Sequence, residues 1–376
     1  MKAIGIMSGT SLDGIDICLV NINKIENDYK YEVEKFKSYN YSLGLINKIK
    51  EVSKNDTSTV QKICSLNYEI AYAYVEAIKK FVNDTSCNME EVEFIAMHGQ
   101  TIWHNPNHMD GYFSSTLQIG EPAVIAYEFN KKVISNFRTM DMAAGGSGAP
   151  LIPFVNYQLY KNQNKSIAFQ NIGGIGNVCY LKKNGNPDDV IAFDTGPGNM
   201  LIDGAMQKLY NLPYDAFGNI AKKGNIIIEV LNEILEDSYL YIPYPKSTGR
   251  EKYNDQYLDN LISKIKNYTT KNEDVIATIT AYIAYTIIKE YNLFLPDIDE
   301  IVLSGGGAHN QFLVDILRKN LAAKITISDQ IDAYEAFGFA ILGHMTILNQ
   351  PSNLPFVTGA KKAVILGNIT NPPCEE

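Results

Sequence analysis

Short apolar runs alternate along this chain with longer stretches in which apolar residues recur every third or fourth position. The first pattern suits buried strands and the second amphipathic helices. "KAIGIM" (2–7), "DICLVNIN" (16–23) and "YEVEKFKSY" (31–39) read as strands. "TSTVQKICSLNYEIAYAYVEAIKKFVND" (57–84) reads as a long helix, or two, with Thr57 or Ser58 near its N-cap. "EFIAMHG" (93–99) and "KKVISNF" (131–137) are further buried-type strands. The pattern restarts near residue 166 with strands "SIAFQNIGG", "VCYLKK" and "VIAFDTGPGN", a helix to Tyr210, and a mostly helical stretch over 220–295. Strand "EIVLSGGG" (300–307), helix "NQFLVDILRKNLA" (310–322), strand "KITIS" (324–328) and helix "AYEAFGFAILGHMTIL" (333–348) complete it. This alternation predicts an α/β architecture with mixed sheets.

The restart is a repeat. "AIGIMSGTSLDGIDICLV" and "AFQNIGGIGNVCYLK", about 165 residues apart, are both strand, Gly-rich turn, strand. Two such openings predict a duplicated domain with a cleft between the halves. The length of 376 residues also favours two cores over one. "NGNPDD" (184–189) reads as a hairpin tip and not as a boundary.

Composition narrows the function. The formal charge of −9 argues against broad binding to nucleic acid or an anionic membrane. It admits a nucleotide, whose phosphates a pocket can neutralise with backbone N–H groups and Mg²⁺. The five cysteines are widely spaced and form no CxxC, which argues against a disulfide framework or a zinc site. No signal-peptide pattern opens the chain, and Lys289 and Glu290 interrupt the longest apolar stretch (275–294), so a cytoplasmic protein is expected. Arginine is rare, standing at positions 138, 250 and 318.

Four Gly-rich turns follow buried-type strands: 7–14, 171–177, 193–199 and 303–310. Each is either a tight turn or a loop whose N–H groups face an anion. Ser8, Thr10 and Ser11 add hydroxyls to the first. None contains the GK[ST] of a Walker A loop or a Rossmann fingerprint. Asp13 and Asp16 lie in or beside the first turn. Asp194 ends "VIAFD", beside Gly196, Gly198 and Asn199, where it can act as a general base, reach Mg²⁺ or cap the next helix. "MHGQTIWH" carries His98 and Gln100, and "SNFRTMDMAAGGSGAPLIP" carries Arg138 and Asp141, a fork suited to carboxylate or phosphate or else a local ion pair. "PKSTGRE" (245–251) reads as a surface loop or helix entry, and Asp332 and Glu335 as the start of an apolar helix.

Taken in order, these loops resemble the sugar kinase / Hsp70 / actin superfamily. "MSGTSLDGID", "HGQTIWH", "NFRTMDMAAGGSGAPLIP", "NIGGIGNV", "FDTGPGNMLID", "PKSTGRE", "LSGGGAHN" and "VTGA", spanning Met7 to Ala360, together resemble the anhydro-N-acetylmuramic acid kinase family. Ser147 stands where that family commonly has Gln. The resemblance implies two duplicated ribonuclease H-like (actin-like ATPase) domains with an interdomain cleft. It divides them as 1–130 plus 345–376, and 131–344 with a helical insertion. It implies hydrolytic opening of 1,6-anhydro-N-acetylmuramic acid and phosphorylation of O6 by ATP in peptidoglycan recycling, with Asp194 as the base that activates water.

By motif position it assigns ATP to Gly9, Thr10, Ser11, Leu12, Asp13, Gly14, Ile15 and Asp16, to Gly173 and Gly174, to Gly196, Gly198 and Asn199, and to Gly305, Gly306 and Gly307. Asp13 is also expected at Mg²⁺, through water. The sugar falls to His98, Gln100, Arg138, Asp141 and Glu335. The expected partners are ATP and the amino sugar, with no nucleic acid or membrane, and a homodimer stays open. Two other readings stand beside this one: a kinase of an ordinary amino sugar or hexose, and a non-catalytic ATP-binding protein.

Overall fold

The computed structural model describes residues 1–9, 12, 14–108, 111–328 and 333–373. It divides into two compact units, Met1–Leu159 with Asp332–Glu376, and Tyr160–Ile331.

The first unit opens with an antiparallel meander, β1 (Lys2–Met7), β2 (Ile15–Ile25) and β3 (Asp28–Tyr39). Helices α1 (Leu43–Val52) and α2 (Val60–Thr85) lead to β4 (Val92–Met97), which joins β1 in parallel. β5 (Gln100–Asn105) and β6 (Ser115–Ile119) form a separate hairpin, followed by α3 (Pro122–Phe129), β7 (Lys132–Ser135) parallel to β4, α4 (Thr139–Ala143) and α5 (Ile152–Tyr160). Along β1 the residues alternate between faces. Ile4 and Ile6 share a core with Leu66, Ile70, Tyr74 and Ile78 of α2. The cap of α2 is Thr59, whose hydroxyl accepts from Lys62 N, not Thr57 or Ser58. Thr57 is committed elsewhere, donating its Oγ to the Glu51 carbonyl.

The second unit repeats the plan. β8 (Ile167–Ile172), β9 (Ile175–Leu181) and β10 (Ile191–Pro197) are antiparallel, and α6 (Asn199–Tyr210), α7 (Ile228–Ile234), α8 (Asp255–Lys266) and α9 (Asn272–Phe294) follow. β11 (Glu300–Ser304) then pairs in parallel with β8, and β12 (Lys324–Ile327), after α10 (Gln311–Asn320), with β11. α9 is the apolar stretch of the sequence and a core helix: Val275, Ile279, Ile283 and Ile287 are buried with Phe193, Leu201, Leu303 and Leu317. Among the described residues no helix is long and apolar enough to cross a membrane.

The chain then returns to the first unit as α11 (Tyr334–Ile347), α12 (Pro355–Thr358) and β13 (Asn368–Thr370), which pairs antiparallel with β7. α11 lies so close to β1 that a Cβ on Gly5 would sit 1.9 Å from the Ala336 carbonyl oxygen. The sheet orders are β13-β7-β4-β1-β2-β3 and β10-β9-β8-β11-β12, so each holds three antiparallel strands followed by two parallel ones. The division at 130/131 and 344/345 expected from the sequence moves accordingly. Residues 131–159 stay with the first unit because β7 extends the parallel ladder of β4, and all of α11 stays because it packs on β1.

Candidate active site

Three of the four Gly-rich turns meet at one end of the second sheet. Gly198 N–H donates to the Gly174 carbonyl at 2.9 Å and Asn199 N–H to that of Gly173 at 2.7 Å. A Cβ on Gly198 would fall 2.2 Å from the Gly173 oxygen, so only glycine allows this approach. Asn199 Nδ2 donates to the Ile172 carbonyl at 3.1 Å. Gly305 has φ +75°, and a Cβ there would come 2.5 Å from Asn171 Oδ1; one on Gly307 would meet Ile172. The first amides of α6 are thus spent on the neighbouring turn. Gly198 and Asn199, expected to face phosphate, use these N–H groups to bind one loop to another.

Asp194 lies where β10 is bulged, the register slipping between Asp194 and Gly196. Such bulges re-aim side chains beside functional sites. The Asp194 N–H donates to the Lys246 carbonyl (3.2 Å), and the Asp194 carbonyl accepts from Tyr239 OH (2.7 Å). Thr248 N–H donates to Oδ2 at 2.9 Å, and among the described residues nothing donates to Oδ1. Burial pushes the carboxyl up to about 6; the Thr248 amide works against that rise and the Glu251 charge adds to it. Asp194 does not cap α6, whose N-cap is Gly198.

The 245–251 segment is therefore not a plain surface loop: its backbone holds Asp194, and the Lys246 side chain is only 3% exposed. Sequence reading missed Tyr239, Lys246 and Thr248. The available signal was Glu290, a charge inside an apolar helix, which demands a buried cation.

In the first unit the opening turn is fastened from behind. Gln100 Nε2 donates to the Gly9 carbonyl at 3.2 Å, and its Oε1 accepts from Tyr41 OH at 3.3 Å. Gln100 is completely buried and supports the turn from below. Ser8 Oγ bonds Tyr74 OH at 2.5 Å inside the core. Leu12, at φ 60°, donates its N–H to the Gly9 carbonyl at 3.3 Å. Gly14 packs near Tyr39, while Ile15 and Asp16 begin β2, with Asp16 opposite Met7. Thr10, Ser11, Asp13 and Asp332 lie outside the described residues.

His98, Arg138 and Asp141 do not act as one cluster. Arg138 donates Nε–H to His98 Nε2 at 2.9 Å and Nη1–H to the Gly148 carbonyl at 2.8 Å. Burial, then the Arg138 charge, holds His98 down at about 3, so it is a neutral acceptor at physiological pH. Burial lowers Arg138 to about 10, and the charge of Glu335, an exposed residue in the first turn of α11, favours the protonated guanidinium. Among the described residues Nη2 of Arg138 has no acceptor.

Asp141 is completely buried and pairs with none of these. Its Oδ2 accepts from Gly148 N–H (2.8 Å), and its Oδ1 from Asn353 Nδ2 and Thr358 Oγ1 (both 2.7 Å). The expectation of a sugar contact at Asp141 is corrected: its carboxylate clamps the 141–148 loop to the "VTGA" segment. Sequence distance hid both side-chain partners.

A duplicated sheet, with a half-buried carboxylate at the bulged end of β10, defines the class by fold and site: a two-unit protein of mixed α/β fold with a candidate acid–base centre. The whole-chain comparisons narrow it. The family model described as Anhydro-N-acetylmuramic acid kinase matches residues 1–372. Proteins of that name from Bacillus cereus (strain B4264) and Clostridioides difficile (strain 630) are 45% and 46% identical to it. Each alignment covers 99% of this chain, and 98% and 99% of the two relatives. The chain belongs to the anhydro-N-acetylmuramic acid kinase family and is an enzyme, a kinase that uses ATP.

Proposed function

We propose that this protein opens the internal glycoside of 1,6-anhydro-N-acetylmuramic acid with water and phosphorylates the freed O6 from ATP. The products, N-acetylmuramate 6-phosphate and ADP, belong to peptidoglycan recycling. The observation that carries the mechanism is Asp194: half-buried, held through one oxygen by Thr248, with its pKa raised to about 6. Such a carboxylate is ionised at neutral pH and a stronger base than an exposed aspartate.

Asp194 takes a proton from water as the water oxygen bonds to C1. The C1–O6 bond breaks and its electron pair goes to O6. O6 bonds to the γ-phosphorus, and the bond to the β-bridging oxygen breaks, releasing ADP. Glycosidases ordinarily use a second carboxyl group to protonate the leaving oxygen. Here phosphoryl capture of O6 replaces that acid, so one base suffices. Arg138 keeps its charge and a spare Nη2, which suits the lactyl carboxylate of the sugar.

Magnesium enters as the Mg·ATP substrate and supplies charge neutralisation at the phosphates. Among the described residues no three His, Cys, Asp or Glu side chains cluster as a metal site. We place the reaction, which consumes ATP, in the cytoplasm.

The test is turnover of the anhydro-sugar with ATP in ¹⁸O-water. One solvent oxygen is expected at C1 and none at O6. Product formed from the anhydro-sugar without label at C1, or phosphorylation of plain hexoses in preference to it, overturns the reading.

A further inference from the structure

Behind Asp194 lies a buried ion pair that the reaction does not touch. Lys246 Nζ is 2.7 Å from Glu290 Oε1, and the two side chains are 3% and 0% exposed. The ammonium lies 5.5, 4.8 and 4.7 Å from the ring centres of Phe193, Tyr239 and Phe294, and donates to the Tyr239 carbonyl at 3.2 Å. Glu290 Oε2 has no hydrogen-bond partner. Burial pushes Glu290 up to about 7 and pulls Lys246 down. A half-satisfied buried pair is a poor way to gain stability, because desolvation consumes most of the attraction. What this pair fixes is geometry. The Lys246 carbonyl receives the Asp194 N–H, Thr248 two residues on holds the Asp194 carboxylate, and Tyr239, whose ring walls the ammonium, bonds the Asp194 carbonyl.

We infer that Lys246 is a positioning residue for Asp194: its ion pair with Glu290 and its aromatic cage lock the 245–251 segment onto β10, so that Thr248 grips one carboxylate oxygen and the other stays open. The inference rests on the reading of Asp194 as the base. Glu251 acts electrostatically on Asp194 from the same segment, Asp194 in turn raises the pKa of Tyr239, and Asn177 is its register partner on β9, whereas the Lys246 ammonium is turned toward Glu290.

The experiment compares Lys246→Met, which fills the cage without charge, with the double variant Lys246→Met/Glu290→Gln, which also removes the stranded carboxylate. In Lys246→Met, kcat is expected to fall about 100-fold, the scale of a slight misplacement of a catalytic group. The KM values for ATP and sugar should stay within about twofold. The Thr248 amide resonance, which in the unsubstituted chain shifts with pH as Asp194 titrates, should lose that dependence. The double variant should recover Tm but not kcat. If Lys246→Met alone does not fold, the double variant carries the same readouts.

Recovery of kcat together with Tm would show a merely structural role and overturn the inference. So would an unchanged pH response of the Thr248 amide in the variants. Failure of the base reading itself appears elsewhere, as turnover retained in Asp194→Asn, and leaves the amide measurement to judge Lys246 on its own.

Discussion

Two aspartates, one in each unit, stand in Gly-rich segments that look alike in sequence, and the fold puts them in opposite states. Asp141 is sealed, with three donors on its carboxylate and no exposure. Asp194 is half-buried, takes one donor on one oxygen, and its pKa is raised by the burial that this single amide does not offset. A saturated carboxylate has no capacity left for a substrate or a proton, so it acts as a fastener. A carboxylate that is dehydrated but under-bonded keeps a high free energy as the anion, which makes it a base. The number of donors, not the identity of the residue, separates the two roles.

The largest effect that would break this contrast is on turnover. Asp194→Asn keeps an acceptor for Thr248 but no basic oxygen, and turnover should drop about a thousandfold with folding intact. A coupled ADP assay beside circular dichroism checks it; wild-type-like ADP production from the anhydro-sugar would remove Asp194 from the chemistry. In the unsubstituted chain turnover should also decline as pH falls below about 6, since the base must be ionised.

Next is the fastener. Asp141→Asn turns an NH₂ toward existing donors and should cost about 2–4 kcal/mol in urea unfolding, with kcat per folded molecule little changed. Normal stability with lost activity would reverse the roles of the two aspartates.

A smaller effect comes from linkage. The Asp194 carboxyl moves from its ordinary 3.8 up to about 6, so the folded state binds its proton more tightly than the unfolded state does. Stability contributed at this site is therefore present at low pH and lost as pH rises through about 4 to 6. Asp194→Asn, uncharged throughout, should be more stable than the unsubstituted chain at pH 7 by about 3 kcal/mol, with the gain gone below pH 4. Equal stability at pH 7 would mean that the anion is better solvated than its burial implies.

The smallest concerns the clamp around Asp141. Ser147 Oγ lies 3.0 Å from the Thr358 carbonyl and 2.5 Å from that of Ala149. Ser147→Ala should cost about 1 kcal/mol. A thermal melt resolves that, and an effect above the Asp141→Asn cost would shift the weight of the clamp onto the serine.

Much of the scaffold was legible because its signals are local. Strands β1, β4, β8, β10 and β11 each contain a short unbroken apolar run, such as Phe94–Met97 or Ile301–Leu303, and the repeat of strand, Gly turn, strand correctly indicated the duplication. The β5–β6 hairpin was not seen, because its strands stand far apart in sequence, ending at Asn105 and resuming at Ser115, which is too long for a tight hairpin turn. The unit boundary was misplaced because membership depends on which strand a neighbour pairs with, as β7 does with β4. At the site, Asp194 could be singled out as a polar residue ending an apolar strand beside glycines. Gln100 and Asp141 looked equally chemical, and only their partners showed otherwise.

By itself the sequence determined the α/β alternation, the doubling of the unit, the Gly-rich turns and the candidacy of Asp194, since each depends on residues close together in the chain. Tertiary structure alone decided which carboxylate is free. The partners that saturate Asp141 include residues 212 and 217 positions away, and the amide that holds Asp194 comes from 54 positions on. Burial and hydrogen bonding set the free energy of a charge, and both are properties of what the fold brings alongside it.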